Sequence, residues 1–227
     1  MKLSSLHYFP VVLPFLLALF LVFFLVLGLI QIGVIEYAYE RIGIAQEHVF
    51  TLLLLSLLGS YVNIPIAELP AEHIVSGREV TFYGMRYVIP LVQDLPRTIV
   101  AVNLGGAIIP TLLSVYLVFK KGIYIEAAVG VAMVAVAVHV LAHPIEGVGI
   151  AVPTFIPPLV AAGVGLLLSR ACAPCVAYVA GSLGTLIGAD LMNLRKIQGL
   201  GAPIASIGGA GTFDGIFLTG ILAVLMA

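Results

Sequence analysis

Charge is what this sequence has least of. Only 9% of its 227 residues are charged, against 62% that are hydrophobic, whereas a soluble domain carries roughly a quarter charged residues. A polar surface cannot be built from this chain, so lipid must cover it. That excludes an ordinary soluble globule and implies an integral membrane protein with the bilayer as its first partner. Net charge is -1 and no basic patch stands out, so a nucleic-acid partner is not expected. No polar stretch is long enough for a second, soluble domain, and residues 1–227 read as a single membrane domain. The apolar run from Tyr8 to Val34 reads as a retained transmembrane helix, because it is too long for a signal peptide and no small-x-small cleavage pattern follows it.

Cysteine is scarce as well. Cys172 and Cys175 are the two present, spaced C-x-x-C in "CAPC". This spacing can form a disulfide and lower a thiol pKa. A membrane thiol carrier would want cysteines within the spans or a second pair, so the plainer reading is two small residues at a helix entrance.

What the chain has is long apolar runs. A span needs about 20 apolar residues at 1.5 Å rise each. Seven segments qualify, at about 8–34, 47–64, 97–119, 123–142, 149–168, 174–194 and 209–227. The expectation is an all-α, multi-pass transmembrane bundle. Pro153, Pro157 and Pro158 should break or kink the fifth span, facing the protein interior, where freed carbonyls can be satisfied. Residues 65–96 form the one substantial loop, and "EHIVSGREVTFYGMRYVIP" suggests a short β-hairpin near the interface, with Tyr83 and Tyr87 as headgroup-level anchors. No internal repeat is evident. Lys2, Arg78, Arg86, Arg97, Arg195 and Lys196 fall on the N-terminal side of this topology, and Arg41, Lys120, Lys121 and Arg170 on the other. The balance leans toward a cytoplasmic N-terminus in the cell membrane.

Two aspartates stand in this apolar background. Asp190 lies five residues before Arg195, which marks the interface, so it is about 7 Å inside. Asp214 lies thirteen residues before Ala227, about 20 Å of helix against a core of about 30 Å. It therefore sits roughly 10 Å below the same face. Two carboxylates at matching depth on consecutive antiparallel helices can meet. Sharing a site, they cannot both ionise cheaply, so one keeps a proton. An acid and a base around one water can hydrolyse a peptide bond. The competing readings are a helix cap at Asp214, a cation or proton site, and an ion pair with Arg195.

Gly188, Gly208, Gly209, Gly211 and Gly215 crowd the two aspartates and are the candidate supporting residues. Gly181, Gly184 and Gly188 also form a stripe suited to close helix contact. "SIGGAGTFDG" has the glycines of an anion nest but no P-loop lysine, and a neighbouring Asp repels phosphate. At the end of span four, His139 and His143 are four apart, a spacing that on one helix face can hold Zn²⁺ or another divalent metal. The pattern is not H-E-x-x-H, so no general base stands between them.

The segment "FDGIFLTGIL" resembles the active-site segment of presenilin-type intramembrane aspartyl proteases, where Gly-x-Gly-Asp leads into a hydrophobic helix. "GADLMNL" is similar to the first motif of that family, Tyr-Asp followed by an apolar residue. The resemblance implies a catalytic pair, Asp190 and Asp214. Thr212 and Phe213 separate Gly211 from Asp214, and Ala189 stands where the family has Tyr. The whole chain also resembles an uncharacterised prokaryotic family of multi-pass membrane proteins with a domain of unknown function, which implies a topology and no activity.

The preferred reading is a membrane-embedded diaspartyl hydrolase, a protease acting on a membrane-protein helix or leader without a cofactor. The alternative is an ion- or proton-coupled transporter or channel using the same aspartates, His139 and His143, with a divalent metal at the histidines as its variant. A structural factor without chemistry is the third.

Overall fold

The computed structural model describes residues 21, 24, 28, 32–70, 79–82, 85–88, 97–145, 149–197, 204–209 and 215–227. Helices dominate. α1 (Ile32–Arg41) and α2 (Gln46–Gly59) meet at a bend of 117°. The chain turns there at Gly43, whose φ of 85° lies in the left-handed region that favours glycine. α3 (Ile109–Lys121), α4 (Tyr124–Leu141), α5 (Ile156–Leu168), α6 (Ala173–Thr185), the one-turn α7 (Leu194–Ile197) and α8 (Gly215–Met226) follow. Wide π-type turns extend α3 backward over Leu104–Ile108 and α6 forward over Leu186–Asp190.

Among the described residues, three helical stretches are long and apolar enough to cross a membrane: Leu104–Lys121, Tyr124–Leu141 and Ala173–Asn193. The protein is an integral membrane protein. Two expected spans, 123–142 and 174–194, coincide with helices, while the others differ. Residues 97–103 of the third are a β-strand, so its helix begins later. The fifth and seventh hold helices of 13 and 12 residues, about 20 and 18 Å long. The second is one arm of the bent pair. Most of the first, and Asp214 and Gly211 in the seventh, lie outside the described residues.

The prolines explain the shortening of the fifth span. Pro157 and Pro158 occupy the first positions of α5, where a missing N–H costs nothing, and Pro153 precedes it in extended chain. The expected kink within a span is thus a helix start. All three prolines are buried, on the interior side as expected.

α6 is the hub. It packs on α3, α4, α5 and α8, and Cys175, Val176, Ala177, Val179 and Ala180 along it are fully buried. Helices in lipid gain little from hiding apolar surface, so close approach through small residues must hold them. The glycine stripe does this. A Cβ on Gly184 would lie 2.7 Å from Val134 Cβ, and one on Gly188 would lie 2.3 Å from the Ala135 carbonyl oxygen, both on α4. Gly181 meets Ala161 of α5 and Thr219 of α8, while Gly220 of α8 meets Ser182 and Tyr178. These pairings set α8 antiparallel to α6, and Ile216 at its start belongs to the same apolar cluster as Leu186.

Successive helices run in opposite directions, giving the molecule two ends. At one, Arg41 Nη1 donates to the Val224 carbonyl near the end of α8 (2.9 Å), and Lys120 Nζ donates to the Gly43 carbonyl (3.0 Å). The other end carries the strands. β2 (Glu79–Phe82) and β3 (Met85–Val88) form the antiparallel hairpin expected in the loop, with Tyr87 in β3; Tyr83 lies outside the described residues. A second small hairpin joins β5 (His143–Ile145) to β6 (Gly149–Ala151). The third sheet, unexpected from the sequence, has the order β1–β4–β7, from β1 (Asn63–Pro70), β4 (Arg97–Asn103) and β7 (Ile204–Ile207).

A Gly188→Ala substitution should destabilise the fold by about 1–3 kcal/mol, because the new methyl meets α4 backbone rather than a side chain that can swing away. Gly163→Ala, with open space around its Cβ position, should be neutral or slightly stabilising. Thermal unfolding in detergent compares the two; equal midpoints would mean that α4 and α6 are not in this contact.

Candidate functional site

The β1–β4–β7 sheet positions Asp190. Its middle strand, "RTIVAVN", is rich in β-branched residues that suit a pleated, buried surface. β1 carries Pro65 and Pro70, tolerated because it has one neighbour only. It pairs antiparallel with β4, with a register shift between Pro65 and Ala67. β7 pairs parallel on the other side of β4, Val102 opposite Ile207.

Each parallel strand leads into a helix through the same kind of sequence. "VNLGGA" (102–107) joins β4 to α3, and "ASIGGA" (205–210) follows along and out of β7 toward α8. A polar residue, a branched aliphatic, two glycines and an alanine recur in order. The match stands out because β4 and β7, the strands the two copies leave, pair in parallel. The two copies nest. A Cβ on Gly208 would lie 2.6 Å from the Ala107 nitrogen, and one on Gly105 would lie 2.1 Å from the Ser56 carbonyl oxygen of α2. Gly208 also has a φ of 88°, as the third position of a turn closed by Gly209 N–H on the Ser206 carbonyl requires (3.2 Å).

Side-chain amides and a hydroxyl tie these pieces together. Asn103, 1% exposed, donates through Nδ2 to the Ser60 carbonyl (2.7 Å) and to Asn63 Oδ1 (3.1 Å), and accepts from Gly106 N–H through Oδ1 (2.8 Å). Ser206 Oγ lies 2.6 Å from the same Asn63 Oδ1. It is also within hydrogen-bond reach of the Gly209 carbonyl, and its single proton serves one at a time.

Asp190 faces this construction from α6. Its Oδ2 accepts the Gly208 N–H at 2.7 Å, and the residue is half-buried. The π-type turn that ends in Asp190 displaces carbonyls from the helical ladder. Asn193, 1% exposed, takes two of them, donating to Gly188 and Ala189 oxygens at 2.9 Å each. Its Oδ1 is buried without a hydrogen-bond partner. Of the expected supporting glycines, Gly188 packs on α4, and Gly208 donates its N–H to Asp190. Gly209 closes the turn, and Gly215 opens α8, where an added Cβ would meet nothing. Sequence reasoning missed Asn63, Asn103, Asn193 and Ser206; buried amides in an apolar chain were the available signal.

His139 and His143 do not share a helix face. α4 ends at Leu141, Ala142 is extended, and His143 lies in β5. His139 Nδ1 is buried without a partner. Among the described residues no three His, Cys, Asp or Glu side chains converge as a metal site would require. Cys172 and Cys175 are joined in a disulfide at the α6 entrance, at the opposite end from Asp190.

This arrangement defines a class: a multi-pass membrane protein in which paired strands and glycine turns complete the helices at one end and hold a carboxylate there. Residues 57–226 match the family described as Protein of unknown function (DUF1614), and the chain belongs to it. That stretch begins inside α2 and takes in the sheet, both glycine turns and Asp190. No curated protein and no solved structure matches the chain.

An Asn103→Ala change should lower stability by about 1–3 kcal/mol, since it strands the buried Gly106 N–H and Ser60 carbonyl together. Ser206→Ala, which removes one half-buried hydroxyl, should cost about 1 kcal/mol or less. Unfolding midpoints in detergent, read against parent protein, give the order; a larger loss at Ser206 would contradict it.

Proposed function

We propose that the protein is a membrane-embedded hydrolase whose acid–base pair is Asp190 and Asp214, acting on a peptide bond of a membrane-protein substrate. The observation that carries this reading is the hydrogen bond from Gly208 N–H to Asp190 Oδ2. It ties the end of α6 to the turn whose continuation, five residues after Gly209, is Asp214. At the far side of that connection Ile216, in the first turn of α8, shares an apolar cluster with Leu186 and Ile207. A carboxylate oriented by a backbone donor, with a second aspartate one residue before α8 in the sequence, would supply the two groups that water-driven hydrolysis needs. One takes a proton from the attacking water as its oxygen bonds to the carbonyl carbon. The other gives a proton to the carbonyl oxygen, and the amine leaves with a proton as the C–N bond breaks.

The ion-coupled alternative uses the same aspartates. It is weakened by Asn193, which already occupies two carbonyls that the π-type turn offers and that a bound cation would use.

Asp190→Asn and Asp214→Asn should each reduce cleavage of a reconstituted panel of membrane-protein substrates by orders of magnitude, because acid and base are both required. Product formation is followed by gel and mass spectrometry, with ion flux measured in the same liposomes. Cleavage that persists in the double variant removes the proposal, and flux without any product in the parent favours the transporter.

A further inference from the structure

At the end of the molecule opposite Asp190, α2 and α3 part. Gly59 at the end of α2 touches the Gly105 backbone, but α2 packs on that turn and hardly on α3 itself. The two helices leave between them a cavity of about 690 Å³, running from Ile109 to Lys120 on α3 and from Leu55 back to Gly43 across the bend. Eleven residues of α3 span about 16 Å, close to one leaflet's half of a core about 30 Å thick. The walls are aliphatic, with Leu52, Leu55, Ile109 and Leu112 among them. Thr51 and His48 of α2 are the polar residues that line it on that side.

The mouth is different. Lys120 Nζ sits 5.0 Å from the centre of the Tyr116 ring and donates to the Gly43 carbonyl at 3.0 Å. An ammonium has three donors, so two remain to point outward. Lys121 follows, with its Nζ against Gly43. Among the described residues neither lysine has a carboxylate partner, and the ion pair present there joins His48 to Glu47. An apolar slot one leaflet deep, topped by uncompensated cations at the interface, matches one kind of molecule. We propose that this cavity binds an anionic phospholipid, one acyl chain between α2 and α3 and the phosphate on Lys120 and Lys121. A second protein helix would be a poorer fit, because it would leave both ammonium groups without an anion.

Native mass spectrometry of the full chain in detergent, with phosphatidylglycerol or phosphatidylcholine added, tests this. The parent should retain phosphatidylglycerol at least about tenfold better, and Lys120→Gln with Lys121→Gln should abolish that preference. Leu112→Trp, on an exposed wall position, should fill the slot and displace both lipids with the unfolding midpoint unchanged. Equal retention of the two lipids by the parent overturns the proposal, as does a preference that survives loss of both lysines. So does a photoreactive benzoylphenylalanine at Leu55 that captures the chain itself or a second copy in place of lipid. None of these readouts depends on the hydrolase reading.

Discussion

The side chain of Asn103 is the joint on which the strand-bearing end depends. Backbone that leaves helical geometry at membrane depth must find partners within the protein, because lipid offers none. The described helices α5 and α8 are too short to reach across, and β7 with the turn at Gly208 and Gly209 precedes α8 in the chain. That backbone is satisfied by sheet pairing, and the sheet is held to the helices by one buried amide. Asn103 reaches α2 through Ser60, β1 through Asn63 and its own helix start through Gly106. Asn63 passes the connection to Ser206 on β7. A fully partnered amide in low dielectric fixes geometry firmly, and a half-partnered one is costly, so these four segments move together or not at all.

The other constraint is space. The helices are close because glycine and alanine line α6 where α4, α5 and α8 cross it. The same device works in the glycine turns, where backbone meets backbone: Gly105 against Ser56 and Gly208 against Ala107. Hydrogen bonding sets which segments meet at the strand end, and side-chain size sets how near the helices stand.

Much of this was legible and some was not, for physical reasons. α4 is long, apolar and unbroken, and α6 runs on through its π-type turn with no proline past its first turn, so in both the apolar run and the helical stretch coincide. The hairpin β2–β3 announced itself through β-branched and aromatic residues around Gly84. β4 and β7 were hidden because a buried strand is as uniformly apolar as a span, and hydrophobic periodicity cannot separate them. The β-branched run Thr98, Ile99, Val100 and Val102 ahead of Asn103 was the signal that favoured strand. The bend between α1 and α2 had a marker in Gly43, whose need for a positive φ a sequence does not display. His139 and His143 failed as a pair because spacing four apart implies a shared face only if the helix continues, and α4 stops between them. Asp190 was found as a misplaced charge. Its partner, Gly208 N–H, was not, because a contact across 18 residues is made by the parallel pairing of β7 with β4.

Asp190 gains its meaning from that pairing. An aspartate at the end of a membrane helix is costly to bury, and a helix cap or a surface ion pair would be the cheaper use of it. Here the helix widens into a π-type turn just before the aspartate, and widened turns of this kind are frequent at functional sites. Asn193 is spent on the carbonyls that the widening frees, so the irregularity is stabilised rather than avoided. Gly188 within the widened turn packs on Ala135 of α4, while Asp190 at its end accepts the Gly208 N–H. The local departures from regular helix and the position of the charge thus meet at one contact, the carboxylate of Asp190 on the Gly208 N–H.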